Sequence, residues 1–278
     1  MNITSLNKEE LLAAIEAITQ IMLIEARCYV SQRQALLILA NDKVDAERVL
    51  SEIEPQKRTR GICLAAVKQD GNALQHVKKQ DRVICLEAVR QNGHALDYVK
   101  KQDKEICLQA VRQNGCALQH VRKQDREICL EAVRQVGHED FALEHVRRKT
   151  REICLEAVRQ NGYVLQSVKK QDKEICLEAV RQNGMTLQYV QDQTPEICLE
   201  AVRQNGMTLQ YVQDQTPEIC LEAVRQNGRS LRYVHDQTPE ICLEAVKQEG
   251  MVLEYVQDQT PEVVKAAVRQ MAYSLRKI

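Results

Sequence analysis

Residues 194–215 read TPEICLEAVRQNGMTLQYVQDQ. The 22 residues 174–195 recur without change as 196–217, and the pattern continues in both directions. Its punctuation is helical. Thr194, Thr216, Thr238 and Thr260 stand where an N-cap hydroxyl accepts a bond from a free helix N–H. Pro195 and its equivalents follow at the first helical position, where a missing N–H costs nothing. In earlier copies Asp81, Asp103, Asp125 and Asp172 replace Thr and cap equally well. The spacing predicts a helix from Pro195 to Asn205. Gly206 would end it in the left-handed conformation that glycine adopts freely. Ile197, Cys198, Ala201 and Val202 share one broad apolar face, with Leu199 at its edge. Leu209 and Val212 then recur at i, i+3, predicting a short second helix of about two turns.

Nine cysteines mark the register: Cys63, Cys85, Cys107, Cys129, Cys154, Cys176, Cys198, Cys220 and Cys242. Every interval is 22 residues except one of 25. Nine of the ten glycines follow the same register, from Gly71 to Gly250. A tenth copy closes the chain with Val264 at the Cys position, Lys265 at the next, and Met271-Ala272 for Asn-Gly. Units this small bury a core only by stacking. The predicted fold is all-α: an α-solenoid of ten 22-residue two-helix repeats over residues 57–278, with an N-terminal helical cap over residues 1–56. Asn7 could cap a first helix there, and shorter helices are predicted near 32–40 and 43–53. A three-residue insertion falls near 138–142, and residues 262–278 form a C-terminal capping repeat.

The repeated E-I-C-L-E-A-V-R-Q-N-G-x-x-L-x-Y-V resembles the repeats of Domain of Unknown Function 4116, over about residues 59–278. The resemblance implies a helical repeat protein and no particular activity. That family occurs in protists, large viruses and bacteria living inside eukaryotic cells. An effector delivered into a host cell would be consistent with this distribution.

Each cysteine is flanked by Ile and Leu and reads as a small buried hydrophobe. No C-x-x-C and no His at ligand spacing accompanies it, so neither a metal nor a cofactor is expected. Stacked helices would hold neighbouring cysteines about 8–10 Å apart, too far for disulfides. A reducing, cytosolic setting follows, or the host cytosol for a secreted effector. No apolar run is long enough to cross a membrane, and Lys8, Glu9, Glu10 and Glu16 interrupt any signal-peptide pattern.

The chain has 39 basic and 39 acidic residues, so its formal charge is zero. The zero is a cancellation. Residues 1–56 carry net −4, residues 57–173 net +9 and residues 174–278 net −5. The excess lies in pairs recurring once per repeat: Lys78-Lys79, Lys100-Lys101, Arg122-Lys123, Arg147-Arg148 and Lys169-Lys170. Later copies read Gln191-Asp192, Gln213-Asp214, His235-Asp236 and Gln257-Asp258 at the same place. This basic stripe is one candidate binding surface; a plainer origin is charge placed beside the Asp caps. A second candidate is the aromatic row Tyr98, Tyr189, Tyr211, Tyr233 and Tyr255, whose place His76, His120, His145 and Ser167 take in the other copies. It is joined by Phe141, the single Phe, in the insertion. The residue after each Gly varies most, from Asn72 and His94 to Tyr163 and Arg229.

No nucleophile elbow, phosphate loop or zincin motif is present, and identical copies suit avidity better than catalysis. No catalytic residue is expected. The function expected is a non-catalytic scaffold for protein–protein interaction, its basic stripe docking an acidic protein surface. Nucleic-acid or anionic-lipid binding through the same stripe is the alternative. Self-association is also possible, the basic middle of one molecule meeting the acidic end of another.

Overall fold

The computed structural model describes residues 32–40, 44–135 and 142–275. The described residues fall into two compact units that divide between Arg147 and Arg148. The first holds α1 (Gln32–Leu39), α2 (Ala46–Glu52), α3 (Arg60–Gln69), α4 (Arg82–Gln91), α5 (Lys104–Gln113) and α6 (Arg126–Arg134). After α3 to α5 come 3-10 helices at Gly71–His76, Gly93–Tyr98 and Gly115–His120, and after α6 one at Ala142–His145. The second unit repeats the scheme with α7 (Arg151–Gln160), α8 (Lys173–Gln182), α9 (Pro195–Gln204), α10 (Pro217–Gln226), α11 (Pro239–Gln248) and α12 (Pro261–Leu275). Five 3-10 helices alternate with them, beginning at Gly162, Gly184, Gly206, Gly228 and Gly250. Among the described residues no strand occurs. Within each unit successive α-helices pack on one another, and successive 3-10 helices do likewise. Each unit is therefore an α-solenoid stack.

The caps are those the residue types dictate. Asp81 Oδ1 accepts from Ile84 N at 2.9 Å, and Asp103 from Ile106 N at 2.9 Å. Thr194 and Thr216 accept from Ile197 and Ile219 at 3.4 and 3.3 Å. Pro195, Pro217 and Pro239 open their helices. Ile197, Cys198, Ala201, Val202, Leu209 and Val212 are all buried, as are their counterparts from Ile62 to Val246, while Leu253 and Val264 are half-buried. α1 and α2 coincide with the two predicted short helices, and α2 packs on α3 and on Gly71–His76. The helix predicted from Asn7 lies outside the described residues.

The short second helix is a 3-10 helix, six residues long at Gly206–Tyr211 and four at Ala142–His145. The i, i+3 spacing of Leu209 and Val212 suits three residues per turn as well as 3.6. One local expectation is corrected. The repeat glycines are not left-handed: among the described residues no glycine has positive φ. Their cause is proximity. A Cβ on Gly71 would lie 2.5 Å from the Ala88 carbonyl oxygen, and one on Gly184 2.6 Å from that of Ala201. The glycine lets the next helix approach its backbone.

The helix is ended by the preceding Asn. Asn205 is extended (φ −155°, ψ 107°), and its N–H still reaches Ala201 O while its side chain accepts from Met207 N. One residue thus closes the α-helix and caps the 3-10 helix. Where Met271-Ala272 replaces Asn-Gly, α12 runs for 15 residues against ten in α9. Lys265 of this terminal helix is exposed, and so are Val268 and Tyr273.

Candidate binding face

A glutamine ladder holds successive repeats in register. Gln80 Nε2 donates to Tyr98 O at 2.9 Å, and its Oε1 accepts from Lys100 N at 2.9 Å. Gln102 and Gln124 repeat the pair of bonds in the first unit. Gln171, Gln193, Gln215 and Gln237 do so in the second, at 2.8–3.1 Å. Arg58 and Lys149 take the Gln place. Arg58 donates to His76 O and Ile53 O, and Lys149 to Ser167 O.

The ladder accounts for the cysteines. Cys85, Cys107 and Cys129 direct their thiols to Oε1 of Gln80, Gln102 and Gln124, at 3.9–4.0 Å. In the second unit the four equivalent distances are 3.4–3.6 Å. A thiol is nearly as apolar as alanine with a methyl added, yet it is a weak donor to the same oxygen. Burial, aided by nearby Asp groups, pushes the thiols of Cys85, Cys107, Cys176, Cys198 and Cys220 up to about 11. These are inert thiols. Cys116, outside the register, is half-buried.

The basic pairs project from the segment between each 3-10 helix and the next α-helix. Their two members differ. Lys100 Nζ donates to Lys78 O at 2.7 Å, Arg122 to Lys100 O at 2.8 Å and Arg147 to Arg122 O at 2.8 Å. The first member therefore ties one repeat to the one before. The second members Lys79, Lys101 and Lys123 are exposed and have no ion-pair partner among the described residues. Arg148 opens the second unit, where Lys169 and Lys170 are likewise exposed.

The Asp caps are occupied elsewhere. Asp81 pairs with Arg60 at 2.6 Å and Asp103 with Arg82 at 3.1 Å. Lys104 reaches Asp125 at 3.6 Å and Glu127 at 2.6 Å, and Arg151 pairs with Asp172 and Glu174. In each case the cation is the first residue of the preceding helix. Bonds from Ile84 N and Ile106 N, aided by these arginines, hold the carboxyls of Asp81 and Asp103 below the usual range. Where Thr and Pro later replace Asp and the N1 cation, both charges leave together. The net charge difference between early and late repeats is thus the pair row itself.

Clefts open along this row in the first unit. One of about 540 Å³ is bordered by Lys78, Lys79, Lys100 and Lys101, with Asp81 and Asp103 on its wall. Another of about 700 Å³ joins Arg58 and Arg60 to Lys78 and Lys79.

The second candidate row is less available. Tyr98, Tyr189, Tyr211, Tyr233 and Tyr255 are half-buried. Tyr189 meets Tyr163 edge-to-face at 6.4 Å, and Arg232 lies over Tyr233 and Tyr255. Phe141 and residues 136–140 of the insertion lie outside the described residues.

At Asn72, His94, Tyr163 and Arg229 the variable residue after the glycine bonds the capping residue of the next repeat, a link the linear spacing did not reveal. Asn72 meets Asn92 at 3.0 Å, Tyr163 Oη meets Asn183 at 3.0 Å, and Arg229 forms a bidentate pair with Glu249. At His94 the pattern grows into a chain. Asn114 Oδ1 accepts from Cys116 N, so its amide nitrogen faces His94 Nε2 at 3.3 Å. His94 Nδ1 meets His120 Nε2 at 3.3 Å, and His120 Nδ1 meets Asp97 at 3.2 Å. Among the described residues no group of three His, Cys, Asp or Glu side chains is arranged to hold a metal ion.

The stacked α/3-10 units and their polar ladders define the class: a tandem helical-repeat protein. The model of the family described as domain of unknown function (DUF4116) matches residues 59–102, 103–149, 150–193, 194–238 and 216–259. The chain belongs to that family. No curated protein and no solved structure matches it. Among the described residues no helix is long and apolar enough to cross a membrane.

Proposed function

We propose that the protein is a non-catalytic scaffold whose basic row docks an acidic segment of another protein. One observation carries the reading: Lys79, Lys101 and Lys123 are exposed, unpaired among the described residues, and repeated at the pitch of the stack. Their neighbours Lys100 and Arg122 are engaged with backbone carbonyls, so the row is anchored while its second members are free. The bordering clefts offer depth for a bound chain. The unbridged thiols of the ladder suit a reducing compartment, as the cytosol of a host cell would be for a delivered effector.

Fluorescence anisotropy with labelled polyglutamate tests this. Lys79→Glu, Lys101→Glu and Lys123→Glu together should weaken binding by at least tenfold, with circular dichroism unchanged. Equal binding by the variant removes the row from the account. An RNA oligonucleotide bound more tightly than polyglutamate at equal salt would transfer the row to nucleic acid.

A further inference from the structure

We propose that the acidic partner of the basic row is a second copy of this chain, with Lys79, Lys101 and Lys123 of one molecule docking on Asp192, Asp214 and Asp236 of another. The inference rests on the docking role assigned above to the basic row.

Register comes first. Each of the six residues is the second after the valine that ends a 3-10 helix, such as Val77 or Val190. They occupy one place in the repeat, on opposite sides of a charge change. Pitch comes second. In the first unit the residue before Lys101 and the one before Lys123 are each held by a glutamine Oε1 at 2.9 Å. In the second, the residues before Asp192, Asp214 and Asp236 are held the same way at 3.0–3.1 Å. Both rows are spaced by the same ladder, so cations and anions stay matched from repeat to repeat. A partner of unrelated fold would need that pitch by coincidence; this chain has it by construction.

Availability comes third. All six side chains are exposed, and none has an ion-pair partner among the described residues. Glu218 and Glu240, exposed beside the Asp row at the helix N-termini, strengthen its field. The core beneath the two rows is the same, with Ile, Cys, Ala and Val buried in α4 as in α9. Packing therefore does not demand the change from Lys to Asp. Contacts of this kind are exposed and fade with salt, since the Debye length falls from about 30 Å at 0.01 M to about 3 Å at 1 M.

Sedimentation equilibrium of the full chain provides the test. At about 0.01 M salt the mass should rise with protein concentration, and at about 1 M it should return to the monomer. The triple variant Lys79→Glu, Lys101→Glu, Lys123→Glu should stay monomeric in low salt. So should Asp192→Lys, Asp214→Lys, Asp236→Lys. Mixed in equal amounts, the two should associate again, because each supplies the row the other needs. A monomeric wild type in low salt, or a mixture that does not associate, overturns the inference. Polyglutamate separates the two claims. If the Asp→Lys variant and the wild type bind it equally and neither self-associates, only the second-copy inference falls. If the Lys→Glu variant still binds it as the wild type does, the docking role falls as well.

Discussion

Gly184 and Gly61 are the same residue type under opposite demands. A Cβ on Gly184 would strike the Ala201 carbonyl at 2.6 Å, backbone against backbone, with Gln204 Cβ 3.2 Å away. Gly61 is exposed in the first turn of α3. Gly184→Ala should therefore destabilise by about 1–3 kcal/mol through overpacking, whereas Gly61→Ala should stabilise by up to about 1 kcal/mol through helix propensity. Urea denaturation midpoints would measure both. The cysteines make a second prediction. Their folded thiols are pushed to about 11 from an ordinary 9.0, so the unfolded chain ionises first as pH rises. Stability from these groups is whole below pH 9 and declines between pH 9 and 11. Thermal melts across that range should show it, and iodoacetamide should label the ladder only after unfolding. That these cysteines are buried could be read from Ile-Cys-Leu. Why they are cysteines could not, because the Gln80 oxygen reaching Cys85 lies five residues back and becomes its partner only when the segment folds over the helix.

At the scale of the element, cap chemistry located α9 to within one residue, since Thr194, Pro195 and the Asn205-Gly206 pair are unambiguous. The second helix was less legible. Six residues between an Asn cap and a valine carry too few apolar positions to separate a period of three from 3.6. The double duty of Asn205 was not visible either, because the glycine beside it offered a familiar explanation for the helix end. Asn205→Ala should cost about 1 kcal/mol, the usual worth of a lost cap, seen as a lower denaturation midpoint. The chain contains its own comparison: Glu249 stands at this position, makes no cap bond to the 3-10 helix, and pairs with Arg229 instead. α12 supplies the complementary test. Met271→Asn with Ala272→Gly restores the stop signal, and backbone carbon chemical shifts after position 270 should lose their helical values.

For the whole molecule, the identical blocks 174–195 and 196–217 allow a clean excision. Removing residues 196–217 joins Pro195 to Glu218, and every bond from Gln193 finds an equivalent acceptor and donor one repeat further on. The shortened chain should keep its ellipticity per residue and lose only a modest part of its stability, as stacked arrays do. Removing 11 residues instead would break the register and should abolish cooperative melting. Architecture was legible in the sequence because 22-residue self-similarity leaves few alternatives. The candidate face was only half legible. Lys-Lys pairs could be counted, but the division of labour between Lys100, bound to a carbonyl, and Lys101, left free, needs coordinates. So does the fact that Arg60 and Arg82, not the pairs, neutralise the Asp caps.

The glutamine ladder has a direction. A rung such as Gln237 reaches forward to Tyr255 O and Gln257 N and also bonds Leu231 O of its own repeat, the bond that Gln259 makes to Leu253 O at 3.1 Å. In α12, the outermost described layer of its unit, Val268 is exposed where Val246 of α11 is buried. Opening should begin there and travel inward one layer at a time. In hydrogen–deuterium exchange the amides of α12 would trade first and those of α9 and α10 late, so that the stack frays from its C-terminal layer as a zip does from its open end.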